Sequence, residues 1–353
     1  MTLSRRALVT RGAGAIAAGA FAGCLDDVRV SQTEIDAGYA AFFTLWDWAQ
    51  QIGGNEIDFE NPVGTGQAGH GWSPGGDLTR EIADTGVFVY FDTPEFSWAQ
   101  DIAATLEADY DTVAVIDGLA GLDDQLLDWD HQVDASGHDH GSEDTDNDDE
   151  NDTDSHDPEA ENGSNDHDES SIDPHVWLDP VLAREIVETI SAGLADADPD
   201  NAQTYRDNAS AFATDLEKLD EQFEALIETA DRTVAVFAGH DSFTYLQERY
   251  GFELHTPIGV SPQSEPSQGD ISATIDLIES EGIETILYSP FEDRDGQYPT
   301  LVNTILRDTD ATDAMPITHL SGTLAKWQQK DWGYVDQMQE INVPAFREAL
   351  DAQ

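Results

Sequence analysis

The chain alternates short, continuous apolar runs with longer stretches in which apolar residues recur every three or four positions. The runs at 39–44, 87–91 and 112–116 read as strands, and 45–52, 77–83 and 96–106 carry helical spacing. The alternation returns in the second half. Strands are expected at 233–237, 252–258, 285–288 and 315–320, with a helix at 270–279 and a closing helical stretch at 332–350 that breaks before Pro344. Buried strands alternating with helices imply an α/β fold built on parallel sheets. Such sheets gather their ligands beyond the carboxyl ends of the strands.

Between the two sets, residues 199–231 place Tyr205, Ala209, Phe212, Leu216, Leu219, Phe223 and Leu226 alternately four and three positions apart. That is one apolar stripe on a helix of about 30 residues, roughly 45 Å long. A rigid strut packed along two lobes fits it better than a coiled coil. The expected organisation is a first lobe at 25–180, a connecting helical segment at 181–231 and a second lobe at 232–353.

Composition changes this picture in three places. Acidic residues number 73 against 15 basic ones, a net charge of −58. Such a surface repels itself at low ionic strength, but in molar salt the Debye length falls to about 3 Å. The acidity therefore reads as adaptation to salt, and it argues against nucleic acid as a partner. Residues 131–169 contain His131, His138, His140, His156 and His167, half of the ten histidines, among Asp, Glu, Asn, Ser and Gly. That segment cannot bury enough surface to order itself, so it is expected to be disordered and to capture divalent metal weakly. At the start, Ser4-Arg5-Arg6-Ala7-Leu8-Val9 and the Ala/Gly-rich run after it read as a twin-arginine export signal over residues 1–24. Phe21-Ala22-Gly23-Cys24 resembles a lipobox, which would make Cys24, the single cysteine, a lipidated N-terminus on the outer face of the cell membrane.

Four stretches carry candidate chemistry. Asp173-Pro174-His175-Val176-Trp177-Leu178-Asp179-Pro180 puts His175 on a stiff segment beside groups that can bury, and Asp179-Pro180 starts a helix. Asn61 to Pro74 is a glycine-dense loop around His70, whose backbone is expected to approach something closely. His240, in Gly239-His240-Asp241-Ser242-Phe243, follows a strand directly. Ser289-Pro290-Phe291-Glu292-Asp293-Arg294 sets two carboxylates beyond another strand, open to a salt bridge with Arg294 as the plainer reading. His319 lies near the exit of the strand at 315–320 and is a remote candidate; His255 falls mid-strand and reads as structural.

Taken together, the lipobox, Gly69-His70-Gly71-Trp72, the His-rich acidic insert, the Asp173–Pro180 motif, Gly239-His240-Asp241-Ser242-Phe243-Thr244-Tyr245-Leu246 and Ser261-Pro262-Gln263-Ser264-Glu265-Pro266-Ser267 resemble the solute-binding proteins of zinc and manganese ABC transporters. The resemblance covers nearly the whole mature chain. It implies two α/β lobes joined by one long helix, with a metal in the interlobe cleft. Matched motif to motif, it implies His70, His175 and His240 as ligands and a carboxylate fourth, Asp293 or alternatively Glu292. It also implies a permease and its ATPase as partners of a monomeric, membrane-tethered receptor.

The donor chemistry agrees. Three imidazoles and one carboxylate make a closed four-coordinate site that suits Zn²⁺, whereas Mn²⁺ favours more oxygen. A closed shell leaves no position for substrate, so a carrier is expected and not an enzyme. Because imidazoles ligate only when deprotonated, affinity should fall below about pH 6.5. A secreted metallohydrolase would need an open position and a general base, and no His-Glu-x-x-His helix is present. A metal-buffering protein, in which only the insert binds, is the other alternative.

Overall fold

The computed structural model describes residues 35–67, 69, 72–128, 172–258, 265–291 and 297–353. The export signal with Cys24, His70, the His-rich insert, Glu292 and Asp293 lie outside the described residues. The first set comprises β1 (Ala37–Ala40), α1 (Phe43–Gly53), β2 (Asp58–Glu60), α2 (Leu78–Ala83), β3 (Val87–Tyr90), α3 (Ser97–Asp109) and β4 (Ala114–Asp117). Two helices follow, α4 (Pro180–Ala197) and α5 (Ala202–Glu228). The second set is β5 (Val234–Ala238), α6 (Thr244–Tyr250), β6 (Glu253–His255), α7 (Gln268–Glu281), β7 (Thr285–Tyr288), α8 (Thr300–Asp308), β8 (Asp313–Pro316), α9 (Ala325–Gln328), α10 (Tyr334–Gln337) and α11 (Val343–Ala349).

The strands form two four-stranded sheets, ordered β2-β1-β3-β4 and β6-β5-β7-β8, and every pairing is parallel. The two orders are the same topology repeated. Each reverses direction beside its first strand, so each has a switch-point crevice at the carboxyl ends of its central strands. The expected α/β class with two parallel-sheet lobes is what the chain adopts. Among the described residues no helix is long and apolar enough to cross a membrane.

Several expected boundaries move, for physical reasons. Residues 41–44 are not strand: β1 ends at Ala40, and Phe42, Phe43 and Thr44 are buried because they turn inward at its end. β2 was not expected, since only its middle residue is buried and three residues carry too short a pattern to read. α8 was not expected either. The strand expected at 315–320 ends at Pro316, and residues 317–321 leave the sheet. Asn342 replaces the missing ladder there: Thr318 N donates to Asn342 Oδ1 at 2.8 Å, and Asn342 Nδ2 donates to Thr318 O at 2.8 Å. The break expected before Pro344 is absent. Tyr334–Gln337 continues through a π turn, Met338–Asn342, into α11. The wider turn accommodates a proline that can neither donate its N–H nor tolerate the carbonyl four residues back.

α5 is a single helix of 27 residues, about 40 Å long, and its buried residues are the seven of the predicted stripe. It packs on α4 and α1 and also on α6, α10 and α11. One apolar core runs from the first sheet through α5 to Phe237, Phe243 and Phe346, and a smaller cluster lies behind the second sheet.

Candidate metal centre

His175 opens a buried 3₁₀ turn, His175–Leu178, just ahead of α4. Asp173 holds it: Asp173 Oδ1 accepts from the His175 backbone N at 2.9 Å and lies 2.7 Å from the ring Nδ1. A carboxylate there keeps the proton on Nδ1 and presents the lone pair of Nε2, the arrangement common to metal-bound histidines. Asp173 is held in turn, its N donating to Leu127 O and its O accepting from Tyr245 OH. Downstream, Asp179 caps α4 by accepting from Val181 N and Leu182 N, with Pro180 at the first helical position. Its Oδ2 also pairs with Arg249 of α6 at 2.7 Å. Burial raises the Asp179 carboxyl above the usual carboxylate range, and Arg249 opposes that shift.

His240 stands two residues past the end of β5, bridged to Ile258. Its ring centroid is 5.7 Å from that of His175, and both side chains are buried. Two imidazoles sharing one zinc at about 2.0–2.1 Å and a tetrahedral angle would have centroids about 5.2 Å apart. The observed pair is within half an ångström or so of that separation. The ring of His319 also lies 5.7 Å from that of His240.

The surroundings are negative. Burial pushes the Glu95 carboxyl up, with His175 opposing and Asp173 adding to the shift. Burial, followed by the charge of Asp173, raises Asp241 to about 6. Three carboxylates around a histidine pair in a buried setting favour a cation.

The glycine-dense loop does approach something closely. Gly66 N donates to Thr323 O at 2.7 Å, and a Cβ on Gly322 would sit 2.0 Å from Gln67 O. A Cβ on Gly69 would sit 2.8 Å from Phe42 Cβ and 3.2 Å from Ser321 O. The residue before His70 is therefore packed against the segment that carries His319.

Of the predicted ligands, the structure brings His175 and His240 together. Among the described residues no group of three or more His, Cys, Asp or Glu side chains is already placed to hold a metal ion. His255 is structural, its Nε2 lying 2.9 Å from Thr274 Oγ1. The supporting roles of Asp173, Glu95 and Asp241 were not read from the sequence. The Asp-Pro-His order was the available signal for Asp173, because a carboxylate two residues before a histidine can turn back onto its ring.

The frame is thus two α/β lobes, each with a four-stranded parallel sheet, and a buried pair of imidazoles, His175 and His240. Residues 39–349 match the family described as zinc-uptake complex component A, periplasmic, and the chain belongs to that family. It is 28% identical over 247 residues to the zinc-binding protein AdcA of Streptococcus pyogenes, covering 70% of this chain and 44% of that protein. It is 26% identical over 312 residues to the zinc-binding lipoprotein AdcA of Streptococcus pneumoniae, covering 88% of this chain and 55% of that one. The chain thus spans about half the length of these curated relatives. In three dimensions it resembles the Zn(II)-bound ZnuA-like domain of S. pneumoniae AdcA, with a TM-score of 0.66 at 21% identity, covering 90% of this chain and 100% of that one. The metal-dependent lipoprotein YcdH of Bacillus subtilis gives a TM-score of 0.67 at 21% identity, covering 89% of this chain and 99% of that one.

Proposed function

We propose that this chain is the extracytoplasmic solute-binding component of an ABC metal importer, which captures Zn²⁺ between its lobes and hands it to a membrane permease driven by its ATPase. The observation that carries the reading is the buried His175–His240 pair, with centroids 5.7 Å apart and Asp173 fixing the tautomer of His175. An imidazole-rich donor set favours Zn²⁺ over Mn²⁺, which takes the lower place in the affinity order and prefers oxygen. His70 is proposed as a further donor, supported by the packing of Gly69 against Ser321. The family pattern gives the remaining place to a carboxylate, at Asp293 or alternatively Glu292. A carrier role without catalysis follows from a closed shell.

The finer features belong to the same reading. Lobes at 25–180 and 232–353 flank the helical segment 181–231. Cys24 anchors the mature, monomeric protein to the outer face of the membrane through lipid after twin-arginine export. The acidic surface suits molar salt, and the insert bearing His131, His138, His140, His156 and His167 captures divalent metal weakly. The test is a competitive zinc titration in molar KCl on the chain with and without residues 131–169. One tight site in both forms, abolished by His240→Ala, is the expected result. Loss of all tight binding with the insert would assign the metal to the insert and refute the receptor reading.

A further inference from the structure

We infer that His319 is a ligand of the same metal ion as His175 and His240, so that the site is built from imidazoles and His319 takes the place that the family pattern gives to Asp293 or Glu292. The inference rests on the receptor reading above and extends it to a residue that reading leaves unused.

Four observations converge on His319. Its ring lies 5.7 Å from His240, the same centroid separation that relates His240 to His175, so His240 has two imidazole neighbours at one distance. The ring is buried at 4% exposure and stacked on Phe291 at 5.1 Å with an interplanar angle of 25°. Its Nδ1 lies 2.8 Å from Ser321 Oγ and accepts from Ser321 N at 3.4 Å, contacts that hold the ring orientation. Its backbone is fastened to the turn that carries His175, because Trp177 Nε1 donates to His319 O at 2.7 Å.

The backbone around it is over-determined. Leu320, next in the chain, adopts φ +61, the left-handed region that a branched side chain rarely occupies. It is held there by Thr44 Oγ1, which donates to Leu320 O at 2.7 Å, and by Leu320 N donating to Thr318 Oγ1 at 3.1 Å. Thr318 is clamped by Asn342 in the π turn. Both the left-handed residue and the π turn are sparsely populated conformations of the kind that cluster where a side chain must be aimed. An ion between the three rings would have to draw neighbouring centroids closer by about half an ångström to reach tetrahedral imidazole geometry.

The test uses the full chain, loaded with Zn²⁺ for affinity and with Co²⁺ for spectroscopy. Cobalt shifts the exchangeable N–H proton of each coordinated imidazole far from the diamagnetic envelope, so proton NMR counts the ligating histidines. We expect His319→Gln to weaken zinc binding by at least about 100-fold, more than the loss of an outer-sphere partner, and to remove one shifted resonance while leaving the others. Asp293→Asn and Glu292→Gln should leave every resonance in place and alter affinity by less than about tenfold. A His319→Gln chain that keeps all the shifted resonances, or loses them all together, overturns the inference. Its failure is distinct from failure of the receptor reading: in that case the unsubstituted chain shows no tight zinc site and His240→Ala changes nothing.

Discussion

Replacing Asp173 perturbs the site without touching the ion. Its Oδ1 receives both the His175 ring Nδ1 at 2.7 Å and the His175 backbone N at 2.9 Å. The backbone of Asp173 is held independently by Leu127 and Tyr245, so the turn survives the substitution. Partners of this kind contribute about 10- to 100-fold to metal affinity, or about 1.4 to 2.7 kcal/mol. Asp173→Asn keeps an acceptor oxygen and removes the charge, so the lower end, about tenfold, is expected. Asp173→Ala also frees the ring to turn, and a loss near 100-fold is expected. The assay is zinc competition against a chromophoric chelator near neutral pH, in about 0.5 M and about 3 M KCl, where screening lengths differ by more than twofold. The pair is buried, with side-chain exposures of 1% for His175 and 6% for Asp173, so salt should leave the ratio unchanged. Equal affinities for the unsubstituted chain and Asp173→Ala would refute the reasoning, as would a deficit that vanishes at high salt.

Other substitutions probe the frame. Gly322→Ala forces a Cβ to within 2.0 Å of Gln67 O, backbone against backbone, and should lower stability by about 1–3 kcal/mol in urea titration while weakening zinc binding. Wild-type stability in that variant would contradict the packing. Arg249→Met leaves the buried Asp179 carboxylate without its cation. Because Arg249 is 35% exposed, the full penalty for breaking a buried pair is discounted to about 1–3 kcal/mol, measured as a shift in denaturation midpoint. Asp47 is raised from 3.8 to about 6, mainly by burial, so the folded chain holds a proton there that the unfolded chain has already lost. Stability from this group therefore falls as pH rises through the window from 3.8 to about 6. Asp47→Asn should flatten that slope and raise stability at neutral pH by up to about 3 kcal/mol, and a less stable variant at neutral pH would oppose this account. Trp177→Phe removes the donor to His319 O and should lower stability by about 1–3 kcal/mol; unchanged melting would show that this bond holds nothing.

Much of this architecture is legible in one dimension because its causes are local. Tyr205 to Leu226 repeat at helical spacing and are the residues that α5 buries. Asp179-Pro180 predicts a capped helix start, and the carboxylate accepts from Val181 N and Leu182 N as an N-cap should. The glycine density before His70 signalled a close backbone approach, and Gly322 against Gln67 is that approach, although the partner segment lies more than 250 residues away. Failures cluster where long-range partners decide the outcome. Pro344 argued for a break, but the closing helix widens into a π turn whose Asn342 is then used to clamp Thr318. Residues 317–320 are as apolar as a strand, yet Thr44, Asn342 and Trp177 capture their backbone from three different elements.

The sequence by itself determined the class of fold, the repetition of the α/β set, the two motifs that carry His175 and His240, and the chemistry their imidazoles favour. These follow from periodicity, capping and donor type, which neighbouring residues express. Only the tertiary structure decided that these histidines meet, that Asp173 selects the nitrogen His175 presents, and that His319 stands beside them. Spacing along a chain carries no information about a hydrogen bond that joins residues 177 and 319, and such bonds aim the rings.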